Sequence, residues 1–167
     1  RWFLDALYLG RYPEDMVATQ QALGRLPLGM DFVEPGDMDL IRTPIDFLGI
    51  NYYTRAVVRS DRIAEETNAP RIVAAPDPAE LTDMGWEVHP EGLTEILRRI
   101  HADYAPAAIV VTENGAAYGT GPGADGSVQD TQRCAYVESH VRACRAAIEA
   151  GVPLRGYFLW SLLDNFE

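Results

Sequence analysis

The sequence predicts an α/β protein built on parallel strands, and three observations carry that expectation. Runs of strand character at 44–54, 109–115 and 154–165 alternate with helical segments that begin near Pro90 and Asp130. The first run, PIDFLGINYYT, is nearly apolar on both faces, as a parallel strand covered on each side should be. Each run also ends in polar or aromatic residues, which is where parallel α/β proteins of both barrel and open-sheet type build their sites.

The elements follow in order. Residues 1–9 form a short amphipathic helix or the end of a longer one, and Pro13 starts a second through Met16, Val17, Gln20 and Leu23. LGRLPLGMDFVEPGD is rich in turn residues, and DMDLIRT has room for one or two helical turns. After the first strand, AVVRS and RIVAAP read as a short hairpin or an extended excursion, followed by a loop carrying Trp86. From Pro90, Leu93, Ile96, Leu97, Ile100 and Tyr104 fall on one face of a helix. The second strand, PAAIVVTENG, leads into a Gly-rich loop, and Asp130 is placed to cap the next helix. That helix sets Val137, Val141, Cys144 and Ile148 on one stripe, with Glu138 and Arg142 paired on the other side. Gly151 and Pro153 stop it, and LRGYFLWSLLDN is the third strand. Strand, helix, strand, helix, strand implies parallel pairing through right-handed crossovers.

The totals narrow the function. The chain has 167 residues, 47% of them apolar, and a net charge of −11. So acidic a protein argues against nucleic acid or an anionic membrane as a partner, and no stretch is long and apolar enough to span a bilayer. Cys134 and Cys144 lie on one helix about 15 Å apart, too far for a disulfide within it, and are expected to be reduced and partly buried. The spacing of His89, His101 and His140 offers no metal set, so neither metal nor cofactor is expected.

The strand tips gather chemistry. The first offers Asn51, Tyr52 and Tyr53; the second Thr112, Glu113 and Asn114; the third Trp160, Ser161, Asp164, Asn165 and Glu167. Taken singly, Glu113 could be a solvated carboxylate, Tyr53 and Trp160 core aromatics, Trp86 a surface loop residue, and Asp164-Asn165 a turn. Taken together they describe a polar pocket with aromatic walls. Pyranose C–H faces pack on such walls, while carboxylates and amides take the hydroxyls.

TENG, GINYY, GWEVHPEGL and above all GVPLRGYFLWSLLDNFE resemble the β-glucosidases of glycoside hydrolase family one, and RWFLDALYLGRYP resembles that family's segment before its sixth strand. The resemblance runs through nearly the whole chain, in order. It implies a (β/α)8 barrel that hydrolyses β-glycosides with retention of configuration. It implies Glu113 as catalytic nucleophile, Tyr53 as the tyrosine that hydrogen-bonds it and Asn51 as the asparagine beside it. Trp160 then lies under the non-reducing sugar, Glu167 grips that sugar's hydroxyls, and Trp86 stands on the aglycone side. A retaining mechanism pairs an attacking carboxylate with a protonated carboxyl about 5 Å away.

The departures from the family pattern set a second expectation. The family's acid/base glutamate sits in Asn-Glu-Pro at the fourth strand, and that tripeptide does not occur here; Val33-Glu34-Pro35 lies in an irregular stretch. A whole barrel needs roughly 250 residues. The chain is therefore expected to hold only part of one, about strands six to eight with their helices, spanning 1–167 as the C-terminal part of a single catalytic domain. Alone it should be inactive and, with open sheet edges, prone to aggregate. Its expected partners are β-glucosides or short β-linked oligosaccharides and the missing N-terminal part of the barrel, in a bacterial cytoplasm. The rival readings are a 6-phospho-β-glycosidase, which Glu167 disfavours by repelling a phosphate, a non-catalytic sugar-binding relative, and a generic α/β domain.

Overall fold

A computed structural model describes residues 1–63, 70–73 and 80–163 of the chain. The elements run α1 (Trp2–Leu9), α2 (Glu14–Ala22), α3 (Asp37–Ile41), β1 (Leu48–Asn51), β2 (Val57–Ile63), β3 (Pro70–Val73), α4 (Pro90–Tyr104), β4 (Ile109–Asn114), α5 (Thr131–Glu149) and β5 (Leu154–Leu159). They fall into two compact units, Arg1–Asp46 with Ala102–Ala105, and Phe47–His101 with Pro106–Glu167.

In the first unit, α1 ends at Gly10, whose left-handed φ of 65° lets its N–H return to the Ala6 carbonyl. Pro13 occupies the N-cap of α2 in extended conformation, one position earlier than a first helical residue. Asp5 is buried and accepts a hydrogen bond from the Tyr104 hydroxyl at 2.5 Å, with Arg1 3.6 Å away on its other side. Burial, reinforced by Asp5, pushes the Tyr104 phenol up to about 12. DMDLIRT supplies the single short helix α3.

The second unit holds the strands. β1, β4 and β5 form one sheet in the order β1-β4-β5, with both pairings parallel. The β1-to-β4 crossover contains α4 and the β4-to-β5 crossover contains α5, as parallel pairing requires. AVVRS and RIVAAP contribute β2 and β3, an antiparallel pair that forms a separate two-stranded sheet. Strand β4 is central, and its Ile109 and Val111 are fully buried, as are Leu93 and Leu97 of α4. Each buried leucine contributes about 2 kcal/mol relative to exposure.

Three expectations need correction. The regular strands are shorter than their apolar runs, four residues for β1 and six for β5, and Ile45 and Phe47 are exposed. On α4, Ile96 is turned outward at 38% exposure, so the inner face is Leu93, Leu97 and Ile100. On α5 the inner stripe is Tyr136, His140, Ala143 and Ala147, with Cys144 beside it; Val141 and Ile148 are exposed. The stripe chosen for hydrophobicity lies one residue, or about 100° of helix, from the one that packs. Small alanines and a ring with a useful hydroxyl face inward, and the β-branched residues sit on the flank. Cys134 is exposed and Cys144 buried, both free, and burial pushes the Cys144 thiol up to about 11.

Candidate active site

The site grows from the ends of β1 and β4. Their register places Asn51 opposite Glu113, after an irregularity between Ile50 and Asn51. The Tyr52 N–H donates to the Glu113 carbonyl at 2.9 Å, so the pairing continues past the end of β1. Tyr53 then turns its hydroxyl onto the Glu113 carboxylate, donating to Oε2 at 2.7 Å. Glu113 is partly buried, its backbone fixed in the ladder and its side chain held by one short bond. Thr112 donates to Asn51 Oδ1 at 2.6 Å, and Asn51 is exposed.

Trp86 packs its ring against Tyr53, with centroids 5.6 Å apart and planes at 60°. It is 37% exposed, so one part of the indole is a wall and another faces solvent. A tight turn carries it: the Thr82 N–H donates to the Trp86 carbonyl at 2.9 Å, and Gly85 takes the φ of 73° that the turn needs. The turn is anchored to the loop after β4, where the Asp83 N–H donates to the Ala117 carbonyl at 3.0 Å and the Gly119 N–H donates to the Asp83 carboxylate at 2.5 Å. Arg55 and Glu87 make a two-pronged ion pair at 2.8 and 2.9 Å, which holds the Glu87 carboxyl below its ordinary range.

Next to the carboxylate in sequence is a residue that the sequence marks only as one of the tip polar groups. Asn114 is fully buried. Its Nδ2 donates to the Tyr52 carbonyl at 2.7 Å and to the Tyr136 hydroxyl at 3.1 Å, and its Oδ1 accepts from the Tyr157 hydroxyl at 2.6 Å. Its backbone carbonyl accepts the Trp160 N–H at 2.9 Å. A buried amide is expensive unless every group is paired, and here one side chain ties together the tips of β1, β4 and β5 and the inner face of α5. Gly115 follows because a Cβ there would stand 1.8 Å from the Trp160 carbonyl oxygen. The Asn-Gly after the glutamate is thus a buried fastening followed by a close backbone approach.

The predicted site residues are distributed as follows. Glu113, Tyr53, Asn51 and Trp86 are brought together by the bonds, register and ring contact given above. Trp160 docks through its backbone on Asn114, follows β5 and is 42% exposed, and the peptide joining it to Ser161 is cis. Glu167, with Asp164 and Asn165, lies outside the described residues. Asp130 stands at the N-cap of α5, but its carboxylate pairs with Arg133 in place of a backbone N–H. Tyr136, Tyr157 and His140 were missed as site residues; the signal for them was three polar rings within apolar segments of α5 and β5. Among the described residues no cluster of His, Cys, Asp and Glu could hold a metal, and no helix is long and apolar enough to cross a membrane.

Known proteins share this architecture. The family model for glycosyl hydrolase family 1 matches residues 1–167. β-Glucosidase A of Acetivibrio thermocellus is 39% identical over 167 residues, covering 100% of this chain and 36% of that protein. The bifunctional β-D-glucosidase/β-D-fucosidase of Bifidobacterium breve is 41% identical over 180 residues, covering 100% of this chain and 38% of that one. The solved family 1 β-glucosidase of Thermotoga maritima in complex with isofagomine lactam superposes with a TM-score of 0.84 at 39% identity, covering 99% of this chain and 35% of that structure. The chain therefore spans little more than a third of the length of these relatives. A parallel sheet with helical crossovers agrees with part of a (β/α)8 barrel. With the model matched from end to end and relatives near 40% identity, the chain belongs to glycosyl hydrolase family 1.

Proposed function

We propose that this chain is the C-terminal part of a single barrel domain, about strands six to eight, of a retaining β-glucosidase, and that Glu113 is its nucleophile. The observation that carries the reading is the strand-tip carboxylate of Glu113 held by the Tyr53 hydroxyl at 2.7 Å beside the Trp86 ring. Fixing a carboxylate through its backbone and a side-chain bond removes freedom that attack on an anomeric carbon would otherwise have to take from it. In the reaction Glu113 bonds to C1 of the glycone while the bond to the leaving oxygen breaks and that oxygen takes a proton. Water then attacks C1, gives up a proton, and releases Glu113 with the original configuration restored.

The remaining roles follow the chemistry of each side chain. Tyr53 orients the nucleophile. Asn51, its Oδ1 engaged by Thr112, presents an NH2 to a sugar hydroxyl. Trp160 and Trp86 pack on the glycone and aglycone, and Glu167 accepts hydrogen bonds from glycone hydroxyls. The proton donor is a glutamate outside these 167 residues: no Asn-Glu-Pro occurs in them, and Glu34 is exposed with its backbone N–H capped by Asp37. The substrates are β-glucosides and short β-linked oligosaccharides, with no metal or cofactor in the reaction, and the site of action is a bacterial cytoplasm.

The test is hydrolysis of an aryl β-glucoside by the full-length protein carrying this chain, with the anomer of the first-formed sugar read by NMR. The β-anomer is expected first, and Glu113→Gln should lower turnover at least about 10⁴-fold, the scale on which loss of a reacting group acts. The isolated 167-residue chain should show no turnover. An α-product, or near wild-type turnover by Glu113→Gln, overturns the assignment.

A further inference from the structure

We infer that Tyr136, on the inner face of α5, is a positioning residue for Glu113, and that His140 holds Tyr136 in place. This rests on the reading of Glu113 as the nucleophile. The place of that carboxylate depends on its own backbone at the tip of β4 and on the tyrosine that bonds it. Those belong to segments 60 residues apart in sequence. One hydroxyl touches both. Tyr136 Oη accepts from Asn114, the neighbour of Glu113, at 3.1 Å, and donates to the Tyr53 carbonyl at 3.0 Å. That oxygen joins the nucleophile's strand to the backbone of the tyrosine that donates to it, one position beyond the Tyr52 bonds to the Glu113 carbonyl and the Asn114 amide.

Only a neutral phenol can donate and accept in this way, and burial keeps it neutral by pushing Tyr136 far above the ordinary tyrosine value. The ring cannot swing, because it is 1% exposed and stacked on His140 with centroids 3.9 Å apart and planes at 22°. His140 is fully buried, its Nδ1 lies 2.8 Å from the Tyr136 carbonyl, and its Nε2 has no partner among the described residues. The Tyr52 ring also neighbours the imidazole, with centroids 6.0 Å apart and planes at 46°. His140 is thus a wall for the phenol.

A side chain that merely fills the core predicts a different outcome from one that positions a nucleophile, and the full-length protein separates them. The readout is the rate at which a 2-deoxy-2-fluoro-β-glucoside with a good leaving group traps the enzyme covalently, which isolates the attack step. Tyr136→Phe should slow trapping about tenfold, the scale of one hydrogen bond, and leave KM within about twofold. Because Tyr136 acts partly through Tyr53, its effect should shrink to less than about half in a Tyr53→Phe background. Leu97→Ala, which lowers stability by opening a cavity at a fully buried residue of α4 that makes none of these hydrogen bonds, should leave trapping unchanged well below its Tm. If Tyr136→Phe does not accumulate as folded protein, His140→Ala reads the same contact, with slower trapping expected and His140→Phe restoring it. Wild-type trapping by Tyr136→Phe or by His140→Ala, or full additivity with Tyr53→Phe, overturns the positioning role. The reading of Glu113 is checked separately: Glu113→Gln that still traps overturns that reading, whatever Tyr136 does.

Discussion

The strand tips and the outer flank of α5 are opposite in character, although both belong to the same compact unit. At the tip of β4 a polar side chain is buried and paired: the Asn114 amide bonds to Tyr52, Tyr136 and Tyr157, all outside β4. On the flank, apolar groups are exposed. Val141 is 47% exposed, Ile148 52% and Leu159 42%, and Val137, Val141 and Leu159 line a shallow groove between α5 and β5. The Asn114 fastening finds its partners within this chain. The flank is a surface of the kind that the next helix of a barrel covers, which fits the proposal that more of the barrel packs against it.

The largest stability effect should come from breaking that fastening. Asn114→Ala empties a fully buried site and takes a partner from the Tyr52 carbonyl and from the Tyr157 and Tyr136 hydroxyls, and should cost about 3–5 kcal/mol in urea unfolding of the full-length protein. Gly115→Ala comes next. Its Cβ would overlap the Trp160 carbonyl, so β4 and β5 must part, at about 2–3 kcal/mol. The flank gives a result that depends on context. Val141→Ser should cost about 1–2 kcal/mol in the full-length protein, where burial is at stake, and within about 0.5 kcal/mol in the 167-residue chain. Equal effects in the two would mean that nothing covers this face.

A titration sharpens the same contrast. Burial lowers the His140 pKa, so the folded protein binds fewer protons than the unfolded chain at pH values between that lowered value and about 6.5. Stability due to a neutral His140 is therefore complete above about pH 6.5 and is lost as pH falls below it. His140→Phe should flatten that part of the stability profile. The smallest effect belongs to the Arg55–Glu87 pair, where Arg55 is 39% exposed: Glu87→Gln should cost no more than about 1 kcal/mol at neutral pH.

Much of this was legible in the sequence. The β-branched run IVV marks β4, and Thr-Glu-Asn-Gly marks its tip with the carboxylate that Tyr53 holds. What could not be read has a physical cause. Hydrophobic period selects Val137, Val141 and Ile148 because it scores side chains by oil-water preference. The packed face of α5 was instead chosen by closeness of approach, satisfied by Ala143 and Ala147, and by the hydroxyl of Tyr136. Asn114 reads only as one of the polar groups at a strand tip, and its role as a buried fastening is hidden because its partners come from residues as far as 62 positions away. The Trp86 turn was equally hidden, since Asp83 reaches across to Ala117 and Gly119.

The central claim is that Glu113 bonds to the sugar. Full-length protein inactivated by a 2-deoxy-2-fluoro-β-glucoside, digested and sequenced by mass spectrometry, tests it most directly. The account predicts one added fluoroglycosyl group on the peptide containing Ile109–Asn114, attached to Glu113. A label on any other carboxylate, with Glu113 unmodified, contradicts it.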